Sequence, residues 1–136
     1  MSEAEREYTA RAGTTTAFWW GSLIWSQANY NSSGYYTFSL NAKTVPVDSF
    51  VPNPWGLFNV HGNVWEWTED CWHDSYHGAP LDASAWKSAC RDLGQHVVRG
   101  GAWYDIPQNL RVTYRKGETT GYRSNYLGFR LARTIP

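Results

Sequence analysis

Asn53-Pro54-Trp55-Gly56-Leu57-Phe58-Asn59-Val60-His61-Gly62-Asn63-Val64-Trp65-Glu66-Trp67 is the stretch on which the fold turns. It holds two turn signals, each followed at once by an apolar run. Asn53-Pro54-Trp55-Gly56 feeds Leu57-Phe58, and His61-Gly62-Asn63 feeds Val64 to Trp67. Proline presets the backbone of a turn, and glycine and asparagine accept its left-handed positions. With Pro46 and Pro52 upstream, no helix crosses this interval. In the second run an acid lies between two indoles. Side chains alternate faces along a strand, and a carboxylate among buried neighbours needs a partner.

Upstream of this stretch one segment reads as helix. Ser2 and Glu5 have capping-box spacing, Glu3 to Ala12 are good formers, and Gly13 is placed to stop the helix. Ala4, Tyr8 and Ala12 fall on one face. Residues 18–25 are apolar around Gly21-Ser22, and Asn29 to Asn41 are polar and aromatic without a period, which predicts a loop. Downstream, Glu69 to Gln95 reads as irregular. Val97-Val98, Leu110 to Tyr114 and Leu127 to Leu131 are strand-like. With no repeats and no heptads, this pattern predicts an α+β domain of low regular content.

The 136 residues make one domain's worth of chain, and 12 basic side chains balance 12 acidic ones. That balance argues against nucleic acid as a partner, and no apolar run reaches the ~20 residues of a membrane span. Nine Trp, nine Tyr and five Phe supply a core and argue against disorder. The first residues, Met1 to Glu5, lack the basic-then-apolar pattern of a secretory leader. Cys71 and Cys90 either close one loop as a disulfide or stand as two unrelated buried thiols. A bond would favour an extracytoplasmic location.

Four ordered blocks carry a family resemblance. They are Glu5-Arg6-Glu7-Tyr8-Thr9-Ala10-Arg11-Ala12-Gly13, the stretch from Asn53 to Trp67, Val98-Arg99-Gly100-Gly101-Ala102-Trp103, and Tyr122 to Leu131. Together they resemble the formylglycine-generating enzyme (sulfatase-modifying factor) family, over nearly the whole chain. The resemblance implies one domain over residues 1–136 with a modified C-type-lectin-like fold that often carries calcium. It also implies a segment ahead of the Ala-Arg-Ala-Gly helix, with Pro-Gly-Gly-x-Phe and Met-Gly signatures. This sequence shows no such segment, so the domain reads as N-terminally short, with a complementing chain or self-association expected. The family's oxidases hold copper through two cysteines just after the Gly-Gly, at positions filled here by Asp105 and Leu110. A carboxylate and a hydrocarbon cannot replace thiolates for a soft ion. Neither copper nor iron is therefore expected.

The resemblance maps a calcium site onto Asn59, Gly62, Val64 and Glu66, an oxygen set that suits this hard cation. The plainer reading has Glu66 hydrogen-bonded within the fold. It also maps a substrate cleft onto Tyr104, Asp105, Gln108, Asn109, Lys116, Glu118, Arg123, Asn125 and Tyr126. Trp103, Tyr114 and Tyr122, with the neighbouring arginines, extend this into an aromatic, basic surface suited to an anionic or sugar-like ligand. Arg130, between Phe129 and Leu131, is expected to pair with a buried carboxylate. His73 and His77 have the spacing of a helical zinc pair but lie in loop-like sequence.

The function expected is a ligand- or protein-binding accessory domain without catalysis. The same scaffold serves retroelement-diversified receptors. An oxidoreductase working with a partner, and a structural subunit of a larger complex, are the competing readings.

Overall fold

A computed structural model describes residues 1–21, 27–31, 43–88, 90 and 94–133. Part of the apolar stretch after Gly21 and most of the polar stretch after Asn31 lie outside the described residues.

Helix α1 spans Glu3–Arg11 and begins as its sequence predicts. The Ser2 hydroxyl accepts from the Glu5 N–H at 3.1 Å, and the Glu5 carboxylate accepts from the Ser2 N–H at 2.8 Å. The helix ends one residue earlier than the glycine suggests. Ala12 already takes a left-handed backbone (φ 45°) and donates its N–H to Tyr8 O. Its buried side is Glu3, Arg6 and Ala10, while Tyr8 is exposed. A helix that buries a glutamate and an arginine must dock on charges, not on an apolar stripe.

Those charges sit on a four-stranded sheet in the order β3-β2-β1-β4. The strands are β1 (Trp65–Cys71), β2 (Gln95–Arg99), β3 (Arg115–Thr119) and β4 (Leu127–Phe129). β1 and β2 run antiparallel with Trp67 opposite Val98 and Cys71 opposite His96, and β3 continues antiparallel on β2. β4 lies parallel to β1, with Trp65 opposite Leu127. The second turn of the opening stretch feeds β1 as expected, and β1 runs on to Cys71.

The expected strand over Leu110 to Tyr114 is corrected. Pro107–Leu110 is a 3₁₀ turn, and the pairing strand starts at Arg115. Leu110 is fully buried, packed against Phe18 and Ala28, so its apolar character reflects a core plug and not a strand. β3 was hidden because Arg115-Lys116-Gly117-Glu118-Thr119 shows no apolar alternation. Gly117 fits there because a Cβ would lie 2.8 Å from the Trp72 ring.

The core comes in three small clusters. Trp65, Val98 and Ala102 pack under Tyr104, Tyr114, Tyr126 and Leu127. Val60, Val112 and Ala10 meet Trp19 and Leu57, and Phe18, Ala28 and Leu110 meet Trp20 and Tyr30. Gly101, at φ +73°, lets the chain pass over Leu110, where a Cβ would fall 2.7 Å from a methyl carbon.

Candidate functional site

The charged face of α1 meets the sheet in two buried ionic clusters. In the first, Arg99 of β2 donates to Glu3 Oε1 (2.9 Å), Glu7 Oε2 (2.5 Å) and the Val112 and Thr113 carbonyls. Arg115 of β3 adds two bonds of 2.9 Å to Glu3, and Tyr76 Oη donates to the same carboxylate. The Arg115 guanidinium lies over the Trp72 and Tyr76 rings, 4.5 Å from each centroid.

In the second cluster Glu66 of β1 accepts from Arg6 Nε at 2.6 Å and from Arg130 at 2.9 and 2.5 Å. Arg130 thus meets the buried carboxylate expected for it. Arg6 also donates to Val60 O, and Arg130 to Phe58 O. Burial alone would push the Glu66 carboxyl up. The two guanidinium groups outweigh it and hold the pKa below the ordinary value.

This arrangement decides how the calcium expectation fits. Both Glu66 oxygens face cations, and the Gly62 carbonyl accepts from the Val64 N–H at 2.9 Å. Asn59 Nδ2 donates to Val47 O, while its Oδ1 is buried without a hydrogen-bond partner among the described residues. One free amide oxygen and the loop carbonyls fall short of six to eight oxygens, and a divalent ion would have to share a carboxylate with two guanidinium groups. Asn59, Gly62, Val64 and Glu66 as placed do not fit calcium.

His61 lies beside this loop, edge-on to Phe18 and Trp20 at centroid distances of 5.3 and 5.0 Å. Its Nδ1 sits 2.7 Å from Leu110 O, which can only accept, so Nδ1 carries the proton. Nε2 has no partner among the described residues. Burial among rings outweighs the carbonyl bond and lowers the pKa from 6.5 to about 4. The unfolded chain then takes up a proton that the fold refuses. Stability from this group is complete above pH 6.5 and falls as the pH drops toward 4. Urea unfolding should show stability about 2 kcal/mol lower at pH 5 than at pH 7.5. His61→Gln should flatten that difference, and an unchanged slope would contradict this assignment.

Asp105 and Leu110, where the resemblance expects the copper cysteines, are both built into the fold. Asp105 is buried. Its Oδ2 accepts from the Ala102 N–H and its Oδ1 from Asn109 Nδ2, both at 2.9 Å. Burial raises its pKa against those two bonds. Asp105 and Asn109, expected in a cleft, therefore bond to each other in the turn after Gly101. Gln108 is exposed on the 3₁₀ turn.

Most other residues expected in the cleft do come together. Trp103 meets Tyr104 at 5.5 Å between centroids, Tyr104 meets Tyr126 at 4.6 Å, and Tyr126 meets Tyr122 at 6.2 Å. The Tyr122 and Tyr126 hydroxyls are hydrogen-bonded to each other. Tyr114 packs on Trp65 behind this row, and Lys116 Nζ lies 6.0 Å from the Trp65 centroid while paired with Glu118. Burial raises the Tyr104 hydroxyl pKa, so it stays protonated as a donor. Arg123 bonds the Thr120 and Tyr122 carbonyls, and Asn125 is exposed beside Tyr126.

Next to the row runs an open groove of about 550 Å³, lined by Trp67, Thr68, His96, Tyr122, Arg123 and the β4 residues Leu127 to Phe129. Only Tyr122 and Arg123 of this lining stand among the residues expected from sequence. No sequence signal marked the rest, because Phe129 shows itself exposed on an edge strand only once β4 is placed beside β1.

His73 and His77 follow β1 on a loop and form no helical pair. His73 is stacked on Trp86 at 3.5 Å, its nitrogens facing the Cys71 and Ser88 carbonyls. Cys71 and Cys90 lie at disulfide distance, with Cα atoms 5.1 Å apart, which is compatible with an oxidising compartment. Among the described residues no helix is long and apolar enough to cross a membrane.

Comparison with known proteins agrees with this geometry. Residues 1–135 match the family model described as the sulfatase-modifying factor enzyme 1-like domain. The formylglycine-generating enzyme of Mus musculus is 31% identical, over 96% of this chain and 38% of its own. The inactive C-alpha-formylglycine-generating enzyme 2 of Bos taurus is 32% identical, over 96% of this chain and 42% of its own. The structure of PvdO from Pseudomonas aeruginosa superposes with a TM-score of 0.79 at 40% identity, covering 95% of this chain and 49% of that one. The chain thus spans less than half the length of these relatives. It belongs to the sulfatase-modifying factor family, whose members include both formylglycine-generating enzymes and inactive counterparts.

Proposed function

We propose that the chain is a non-catalytic binding module of this family, on a scaffold of the modified C-type-lectin kind. Its ligand lies along the Trp103–Tyr104–Tyr126–Tyr122 row and the adjoining groove. The observation that carries this reading is the use of Asp105 as a turn acceptor and of Leu110 as a core plug. Neither offers a soft donor for a redox ion. The tyrosines are half-buried or exposed, with rings to stack and hydroxyls to bond. Trp103 Nε1 is buried without an acceptor among the described residues. With Arg123 and Asn125 at the rim, the face suits a ligand that is sugar-like or anionic and carries oxygens. The inactive relative gives this reading a precedent within the family.

The test is a glycan and peptide array probed with labelled protein, followed by titration of the best ligand. Tyr122→Ala and Arg123→Ala should each weaken binding about tenfold, or about 1.4 kcal/mol. Ligand binding indifferent to both substitutions would overturn the proposed face. Since the Asn59 loop does not fit calcium, EGTA should leave the melting temperature unchanged. A fall on chelation would restore the ion to that loop.

A further inference from the structure

Among the described residues, one group of metal-binding side chains stands together, beside the groove that His96 also lines. Cys71 Sγ, Cys90 Sγ and a ring nitrogen of His96 all lie within 4.8 Å of one another. We propose that these three residues form a zinc site controlled by the redox state of the two cysteines: closed when they are bonded, open when they are thiols.

The geometry has a simple origin. His96 is the cross-strand partner of Cys71 at the end of the β1–β2 ladder, so the two side chains start as neighbours. Cys90 arrives from the loop between the strands. Bonds other than the disulfide hold residues 86–88, just ahead of Cys90, in place. The Cys71 N–H donates to Trp86 O at 2.9 Å, the Trp86 N–H donates to Asp70 Oδ1 at 2.9 Å, and Lys87 Nζ pairs with Glu69 at 2.6 Å. His73 stacks on Trp86 and reaches Ser88 O at 3.0 Å. Reduction therefore leaves both sulfurs beside the imidazole, without first having to gather them.

Two sulfurs on one tetrahedral zinc lie about 3.8 Å apart at Zn–S distances of about 2.3 Å, so the sulfurs must part from their bonded distance on reduction, while the imidazole nitrogen, within 4.8 Å of both, moves in by about an ångström at most. Two thiolates and one imidazole are a known zinc set that leaves a fourth position for water or another ligand. Thiolates also select against calcium and magnesium. The chemistry balances as exchange with a dithiol. The Cys71–Cys90 bond takes two electrons and two protons, giving two thiols, while the dithiol closes to its own disulfide. Zinc then binds with release of both thiol protons.

Cobalt(II) titration, with zinc(II) as competitor, tests this on the whole chain. Anaerobically reduced protein should take one equivalent of cobalt with a thiolate-to-cobalt charge-transfer band, which one equivalent of zinc abolishes. Oxidised protein should show no band. His96→Ala and His96→Gln should each weaken binding of the reduced protein by more than about tenfold, the lower range seen for even outer-sphere changes. Circular dichroism checks that each variant is folded. A folded, reduced protein without the band would overturn the site. So would a band of equal strength in oxidised protein, or affinity unchanged in both His96 variants.

Discussion

Glu66→Gln should lower the unfolding free energy by about 3–5 kcal/mol, or the melting temperature by roughly 10–20 °C. The substitution keeps the size of the side chain and removes one charge. Arg6 is buried and Arg130 largely so, and both would be left inside the fold with no counter-ion. Burial already pulls the Arg6 pKa down. Adding Arg6→Met to the variant should recover part of the loss, because it removes one stranded charge. The wild-type contribution also depends on pH. With a folded pKa below its ordinary 4.5, Glu66 stabilises fully above that value and loses its effect as the pH falls through the folded pKa. The Gln variant should lack this acid-limb component. A loss under about 1 kcal/mol, measured by urea unfolding, would mean that the cluster is solvated and not buried.

Arg99→Met should cost a similar amount, about 3–5 kcal/mol, and its loss should be visible in a particular place. Arg99 is fully buried and joins β2 to α1 through Glu3 and Glu7, while closing the Val112 and Thr113 carbonyls. Methionine fills the space and bonds none of them, so two carbonyls and part of two carboxylates lose their donors. Arg115 still holds Glu3, which keeps the helix from being released outright. Hydrogen exchange should therefore accelerate most along Glu3–Arg11. Arg99→Lys keeps the charge but not the fork, and should fall between wild type and Met. Uniform exchange across helix and sheet would show that Arg99 does not dock the helix.

These clusters mark the boundary of what the sequence discloses. The capping box, the two turns around Asn53 to Asn63 and the strand at Trp65 are local signals, and each was legible. Leu110 was misleading because a buried apolar residue looks alike in a strand and in a core plug. β3 was silent because Trp72 lies over its central glycine and its Arg115 serves Glu3, far along the chain. Arg6 and Arg99 were visible only as charges. Nothing local reveals that Glu66 waits for one and Glu3 for the other, since those pairs span 60 and 96 residues. The tyrosine row was found through the family blocks, whereas the groove beside it needed the parallel placement of β4 on β1.

The same distinction between local type and distant partner bears on the binding-module reading. Asp105 and Leu110 are each committed to the fold, one bonding the turn amide and Asn109, the other filling the space beneath Gly101.

The most direct measurement incubates the purified chain with copper(I), oxygen, a reductant and a cysteine-bearing sulfatase peptide, and follows the peptide by mass spectrometry. The expected result is an unchanged thiol peptide at every time point, with a family formylglycine-generating enzyme converting it in parallel. Appearance of the aldehyde in the reaction with this chain alone would contradict the binding-module reading.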